Sequence, residues 1–191
     1  MRRAGPDDRL DIIAVVNGSE RRFAASPRTS LADTLRGELG LSGVHIGCEH
    51  GICGACTILV DGLPVRSCLM LGVQAHGRRI DTVEGMAEGQ RLHPLQEAFR
   101  RHHALQCGFC TPGFLAAAIG FLDENPDPTR EEVREILSGN ICRCTGYQTI
   151  VDAVMDVAAQ RLADKAKDGE ALHGQEGGRA DPPEIERDIH P

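Results

Sequence analysis

The chain has 191 residues, 41% of them hydrophobic and 26% charged, with a formal net charge of -7 at pH 7. That length allows one large domain or two small ones with buried cores, and it excludes a multi-domain flavoenzyme. An acidic balance and the lack of a membrane-length apolar run argue against nucleic acid and membrane as partners, leaving proteins and small molecules.

Arg2-Arg3 is followed by Ala4-Gly5-Pro6-Asp7-Asp8-Arg9, which supplies no apolar stretch of an export signal, so the expected compartment is the cytoplasm. Leu10 to Val16 is apolar and β-branched, Asn17-Gly18 is a strong hairpin turn, and Glu20 to Ala25 is expected to return as the second strand. Ser30 is placed to cap a helix over 31–39, with Leu31, Leu35 and Leu39 on one face and Gly40 as the stop. Cys56 to Val60, turned by Asp61-Gly62, and Arg79 to Val83 complete a small sheet. Residues 9–85 are therefore expected to form an α+β domain.

Beyond Gly85 the apolar period becomes 3.6 residues and predicts helices near 93–104, 112–123, 130–138 and 148–164. Short connections favour antiparallel neighbours, so 86–164 reads as an all-α four-helix bundle. Thr111 is the expected cap of the second of these helices, with Pro112 at its first position, and Phe114 to Leu122 is apolar nearly all round, as a buried helix requires. From Lys165 to residue 191 large apolar residues are few, and this tail is expected to be disordered or to order only on a partner.

Eight cysteines are anomalous in a chain of a reducing compartment, where disulfides are rare and metal binding is the common use of thiols. Cys48, Cys53, Cys56 and Cys68 give C-x4-C-x2-C plus a distant fourth cysteine, the plant-type 2Fe-2S spacing. Gly47, Gly51 and Gly54 interleave with them, as a loop wrapped around a cluster requires. Cys107 and Cys110 lie between the first two helices of the second half, and Cys142 and Cys144 between the last two. Both pairs then meet at one end of the bundle, ahead of two helix N-termini whose dipoles favour ionised sulfur.

Four-cysteine zinc is the bland alternative, weightier for the second set than for the first, because C-x2-C units are common in zinc sites. It would make the chain a zinc-stabilised scaffold or adaptor module, colourless where iron–sulfur protein is brown. A dithiol redox motif and a Rieske site fit less well, since Cys56 stands where the latter needs histidine and His50 is left as a loop residue. Arg100-Arg101-His102-His103 reads as a solvated helix end and only secondarily as a partner-docking patch, and Gln106 by itself as a polar loop residue. No nucleotide loop and no nucleophile with a base is present, so no catalytic residue is expected.

The stretches Gly47 to Cys56, Gln106 to Phe114 and Gly139 to Tyr147, with Ser67-Cys68 between them, resemble the iron–sulfur subunit of the xanthine oxidase family of molybdenum hydroxylases over roughly residues 9–164. The resemblance implies a β-grasp, plant-type ferredoxin-like domain followed by the four-helix bundle, each holding one 2Fe-2S cluster. It implies a large partner subunit with the molybdenum-pterin cofactor and a medium one with FAD. Electrons would pass from molybdenum through Cys107, Cys110, Cys142 and Cys144 to the set Cys48, Cys53, Cys56 and Cys68, and on to flavin. Gln106 matches a residue that touches the pterin. His45 departs from the family, where lysine or arginine is frequent before the Gly-Cys. The complex is expected to oxidise an N-heteroaromatic, an aldehyde or a similar small substrate with water as the oxygen source, while this chain alone turns nothing over.

Overall fold

The computed structural model describes residue 5 and residues 8–173, with side chains through residue 167. β1 (Leu10–Val16) and β2 (Ser19–Ala25) pair antiparallel with Val16 opposite Ser19, and Asn17 and Gly18 turn the hairpin at φ 50° and 76°. Two positive φ angles in succession match the strand twist, which is why Asn-Gly works here. Ile12, Ala14, Val16, Phe23 and Ala25 point to one face and are buried.

α1 (Leu31–Leu39) covers that face. Ser30 Oγ accepts from the Asp33 amide at 3.1 Å, and Gly40 at φ 69° donates its amide to the Leu35 carbonyl, so both helix ends close as the residues predict. β3 (Thr57–Val60), β4 (Leu63–Arg66) and β5 (Arg79–Asp81) complete a five-stranded sheet in the order β2-β1-β5-β3-β4, with β1 and β5 parallel and the other pairs antiparallel. β5 is shorter than expected. Thr82 leaves the ladder to give its amide to Asn17 Oδ1 at 2.8 Å, and Val83–Gly85 becomes a 3-10 turn.

The helical half comprises α2 (Pro94–Arg101), α3 (Thr111–Glu124), α4 (Arg130–Leu137) and α5 (Gln148–His173) around a core that includes Leu95, Phe99, Phe114, Leu122, Val133, Leu137, Ile150 and Val154. β3 serves both cores by alternation: Ile58 and Val60 join the core under α1, while Leu59 joins the helical one. A Cβ on Gly120 of α3 would lie 2.4 Å from Pro64 Cγ of β4, so glycine is what lets α3 lie on this hairpin.

Four expectations need correction. Thr111 is the first helical residue and Cys110 holds the cap position, its carbonyl accepting from the Phe114 amide at 3.1 Å. α2 ends at Arg101, because His103 at φ 52° turns the chain. Its basic end is not merely solvated: Arg101 and His102 both donate to Asp156 of α5, at 2.5 and 2.8 Å, holding that carboxyl down at about 2. α5 runs past residue 164 to His173, since the Ala and Lys residues at 163–167 favour helix without needing burial. The rest of the expected tail, from 174 onward, lies outside the described residues.

Phe99 is fully buried between α2 and the other helices, so Phe99→Ala is expected to lower the unfolding free energy by about 3–5 kcal/mol. Denaturant unfolding followed by helical circular dichroism checks this, with Gln90→Ala, on an exposed loop, staying within about 0.5 kcal/mol of the parent.

Candidate metal centres

The first four thiols come together at one edge of the sheet. Cys48 and Cys53 lie on the loop between α1 and β3, Cys56 immediately precedes β3, and Cys68 sits in a 3-10 turn over Ser67–Leu69 after β4. Ser67 ties the last two, its Oγ donating to the Cys56 carbonyl at 2.7 Å. The Cys53 amide donates to Cys48 Sγ at 3.4 Å, and this amide, followed by that of His50, brings the Cys48 thiol down to about 6. Burial, then the Cys56 and Cys48 sulfurs, push Cys68 up to about 11, although the Gly51 amide works against them.

The interleaved glycines have specific reasons. A Cβ on Gly51, at φ 81°, would stand 2.4 Å from Leu69 Cδ1, and one on Gly54, at φ 73°, 2.6 Å from Asn140 Cγ. Both the left-handed backbone and the space demand glycine at these positions.

The second four thiols come from two loops at one end of the helical layer, as the sequence suggests. Cys144 Sγ lies 3.6 Å from Cys107 Sγ, both exposed, while Cys110 and Cys142 interact with one another further in. The Cys142 amide donates to Tyr147 Oη at 2.9 Å, and its sulfur receives the Thr145 amide at 3.4 Å. Burial raises the Cys142 thiol, but the hydroxyl and amide of Thr145 outweigh it and the net shift is downward. Burial followed by the Cys142 sulfur pushes Cys110 up to about 12. Cys144 is also raised, chiefly by the Cys107 side chain.

Each set thus consists of four thiols in mutual interaction, with backbone amides turned toward sulfur. Thiolate quartets suit both tetrahedral zinc and iron–sulfur clusters. Amides directed at sulfur and glycine cradles fit a cluster particularly well, because cluster sulfides add negative charge that only nearby donors can offset. The residues present therefore fit 2Fe-2S groups.

Several residues beside the thiols were not legible as site residues. His45 donates Nδ1 to the Phe109 carbonyl at 2.7 Å and stacks on the Phe109 ring at 4.9 Å, so the loop before Cys48 rests on the Cys107–Cys110 loop. The Ile141 amide donates to the Cys53 carbonyl at 2.8 Å, and Arg66 and Asn140 bond across the same junction. The only sequence signal at His45 is its departure from the family pattern, and a buried asparagine leaves no periodic trace. Gln106 is exposed beside Cys107.

A sheet domain and a helical layer, each carrying a thiol quartet on glycine-bearing loops, define an iron–sulfur protein with two 2Fe-2S domains. Comparisons with known proteins agree: residues 14–81 match the 2Fe-2S iron-sulfur cluster binding domain, and residues 82–155 match the [2Fe-2S] binding domain. The chain is 59% identical over 160 residues to the nicotine 6-hydroxylase small subunit of Paenarthrobacter nicotinovorans, covering 84% of this chain and 96% of that one. It is 52% identical over 153 residues to caffeine dehydrogenase subunit gamma of a Pseudomonas species, covering 77% and 90%. Quinoline 2-oxidoreductase from Pseudomonas putida 86 superposes with a TM-score of 0.79 at 58% identity, over 82% of this chain and 97% of that chain. The chain belongs to the small iron–sulfur subunits of the xanthine oxidase family of molybdenum hydroxylases and dehydrogenases. It is an electron-transfer subunit of an oxidoreductase complex, and the zinc scaffold is not favoured.

Because the two thiol sets are separate, Cys110→Ser is expected to abolish one of two paramagnetic signals of the reduced protein, and Cys68→Ser the other. Loss of both signals in either folded variant would contradict independent sites.

Proposed function

We propose that Cys48, Cys53, Cys56 and Cys68 ligate one 2Fe-2S cluster and Cys107, Cys110, Cys142 and Cys144 the other. The domains are a β-grasp ferredoxin-like unit over 9–85 and a four-helix bundle that begins at 86 and, with the helix extension past the expected bound of 164, ends with α5. When bound, each cluster accepts and releases one electron, linking a molybdenum-pterin centre on a large subunit to FAD on a medium subunit. The observation that carries this reading is the assembly of eight thiols into two interacting quartets, each within one matched 2Fe-2S domain.

The chain's own residues supply holding, charge compensation and docking. Amides of Cys53, His50 and Ile52 stabilise negative charge on Cys48, and Thr145 does so for Cys142. Exposed Leu105, Phe109 and Ile141 belong to the loops of the second quartet, and Ile52 and Leu69 to the segments of the first, the last two 61% and 64% exposed. Apolar side chains exposed beside metal-binding loops suit burial by a partner. This supports a molybdenum subunit docking at the Cys107 and Cys144 edge, with Gln106 reaching the pterin, and a flavin subunit docking beside the first quartet. No helix among the described residues is long and apolar enough to cross a membrane, which accords with a cytoplasmic complex. The nicotine, caffeine and quinoline named for the relatives are N-heteroaromatic, and we assign the complex a substrate of that class.

The test is reduction by such a substrate in the reconstituted complex, followed by rapid-freeze EPR. Gln106→Ala is expected to leave both clusters assembled and to slow reduction of the second-domain cluster. An unchanged rate would remove Gln106 from the contact with the pterin, and failure of substrate to reduce either cluster in the unmodified complex would overturn the function.

A further inference from the structure

The junction between the two cysteine loops contains a polar group that ligand assignment does not use. Asn140 is only 1% exposed, yet both ends of its amide are bonded: Nδ2 donates to the Gly54 carbonyl at 3.0 Å, and Oδ1 accepts from Arg66 Nη2 at 3.2 Å. The same Arg66 nitrogen donates to the Gly139 carbonyl at 2.6 Å, and Arg66 Nη1 donates to Thr57 Oγ1 at 2.5 Å. Thr57 in turn donates its hydroxyl to the Gly54 carbonyl at 2.6 Å. The set closes on itself, and beside it the Ile141 amide meets the Cys53 carbonyl.

The placement of these groups in the chain is informative. Gly54 adjoins Cys53, Arg66 stands two residues before Cys68, and Asn140 stands two residues before Cys142. Bonds from Arg66 and Asn140 therefore tie segments of the first quartet to a segment of the second. Space is equally restricted: a Cβ on Gly113 would lie 2.2 Å from the Gly54 carbonyl oxygen and 3.0 Å from Asn140 Nδ2. The amide is enclosed by the first cysteine loop and the first turn of α3, with no room to slide.

We propose that Asn140, oriented by Arg66, is a positioning residue that fixes the separation and relative orientation of the two thiol quartets, and so the coupling between the groups they hold. This rests on the two-cluster reading above. A buried amide bonded at both ends has one low-energy orientation, because any shift leaves a buried donor or acceptor unpaired. Electron exchange and spin interaction between two centres both fall steeply with distance, so small movements at this junction alter them before either site loses its ligands.

The measurement is the spin–spin splitting in low-temperature EPR of the fully reduced protein in its complex, with iron content and the potential of each cluster determined alongside. Asn140→Ala is expected to keep full iron and both sets of g values while narrowing or abolishing the splitting. Arg66→Met, on the strand before Cys68, is expected to act in the same direction, and Arg66→Lys to restore part of the splitting. If Asn140→Ala fails to assemble, the two Arg66 variants decide. An unchanged splitting in variants that retain both clusters overturns the positioning role, as does an unmodified protein with two reduced clusters and no splitting. Absence of iron from the unmodified protein would instead overturn the two-cluster reading itself.

Discussion

The backbone of the first cysteine loop lies directly on the first turn of α3, with the Gly54 carbonyl where any side chain at residue 113 would have to stand. This approach decides the arrangement of both halves. It requires glycine at 113, while Gly54 is held to glycine by its φ of 73° and by the Asn140 side chain, and the Cys53 carbonyl accepts from the Ile141 amide beside it. The sheet reinforces the contact from below, because β3 sends Leu59 into the helical core while Ile58 and Val60 stay under α1. A sheet domain and a helical layer that could have been joined by a linker alone are instead packed through the loops that carry the thiols.

The thiols themselves sit in unequal environments. Amides bring Cys48 down to about 6, whereas burial pushes Cys68 up to about 11 and Cys110 up to about 12. Metal binding by such groups releases protons and couples loading to the folded geometry, since the ligand must be thiolate. Burial disfavours a bare thiolate at Cys68 and Cys110, while amides directed at sulfur offset the charge at Cys48 and Cys142. The two effects together suit a carrier whose charge changes by one electron without rearrangement of the loops.

Much of this architecture was legible in the residues. Asn17-Gly18, Ser30 and Gly40 each carry a local physical signal, and each is found in its expected role. The cysteine spacings likewise grouped the thiols into the two loop sets that the fold brings together, because residues on one short loop leave a short-range pattern. What escaped was non-local. Thr82 leaves β5 for Asn17 across 65 residues, Asn140 reaches Gly54 across 86, and Arg66 reaches Gly139 across 73. Nothing near those residues announces a partner so distant. The extension of α5 escapes the sequence for a different reason: a surface helix of Ala and Lys needs little apolar content.

The central claim, that both thiol quartets hold 2Fe-2S groups, is tested most directly by counting iron, acid-labile sulfide and zinc in anaerobically purified protein. The account predicts about four iron and four sulfide per chain, with visible absorption and negligible zinc. Zinc in place of iron, or about two iron with two thiol pairs still free to alkylation, would contradict it.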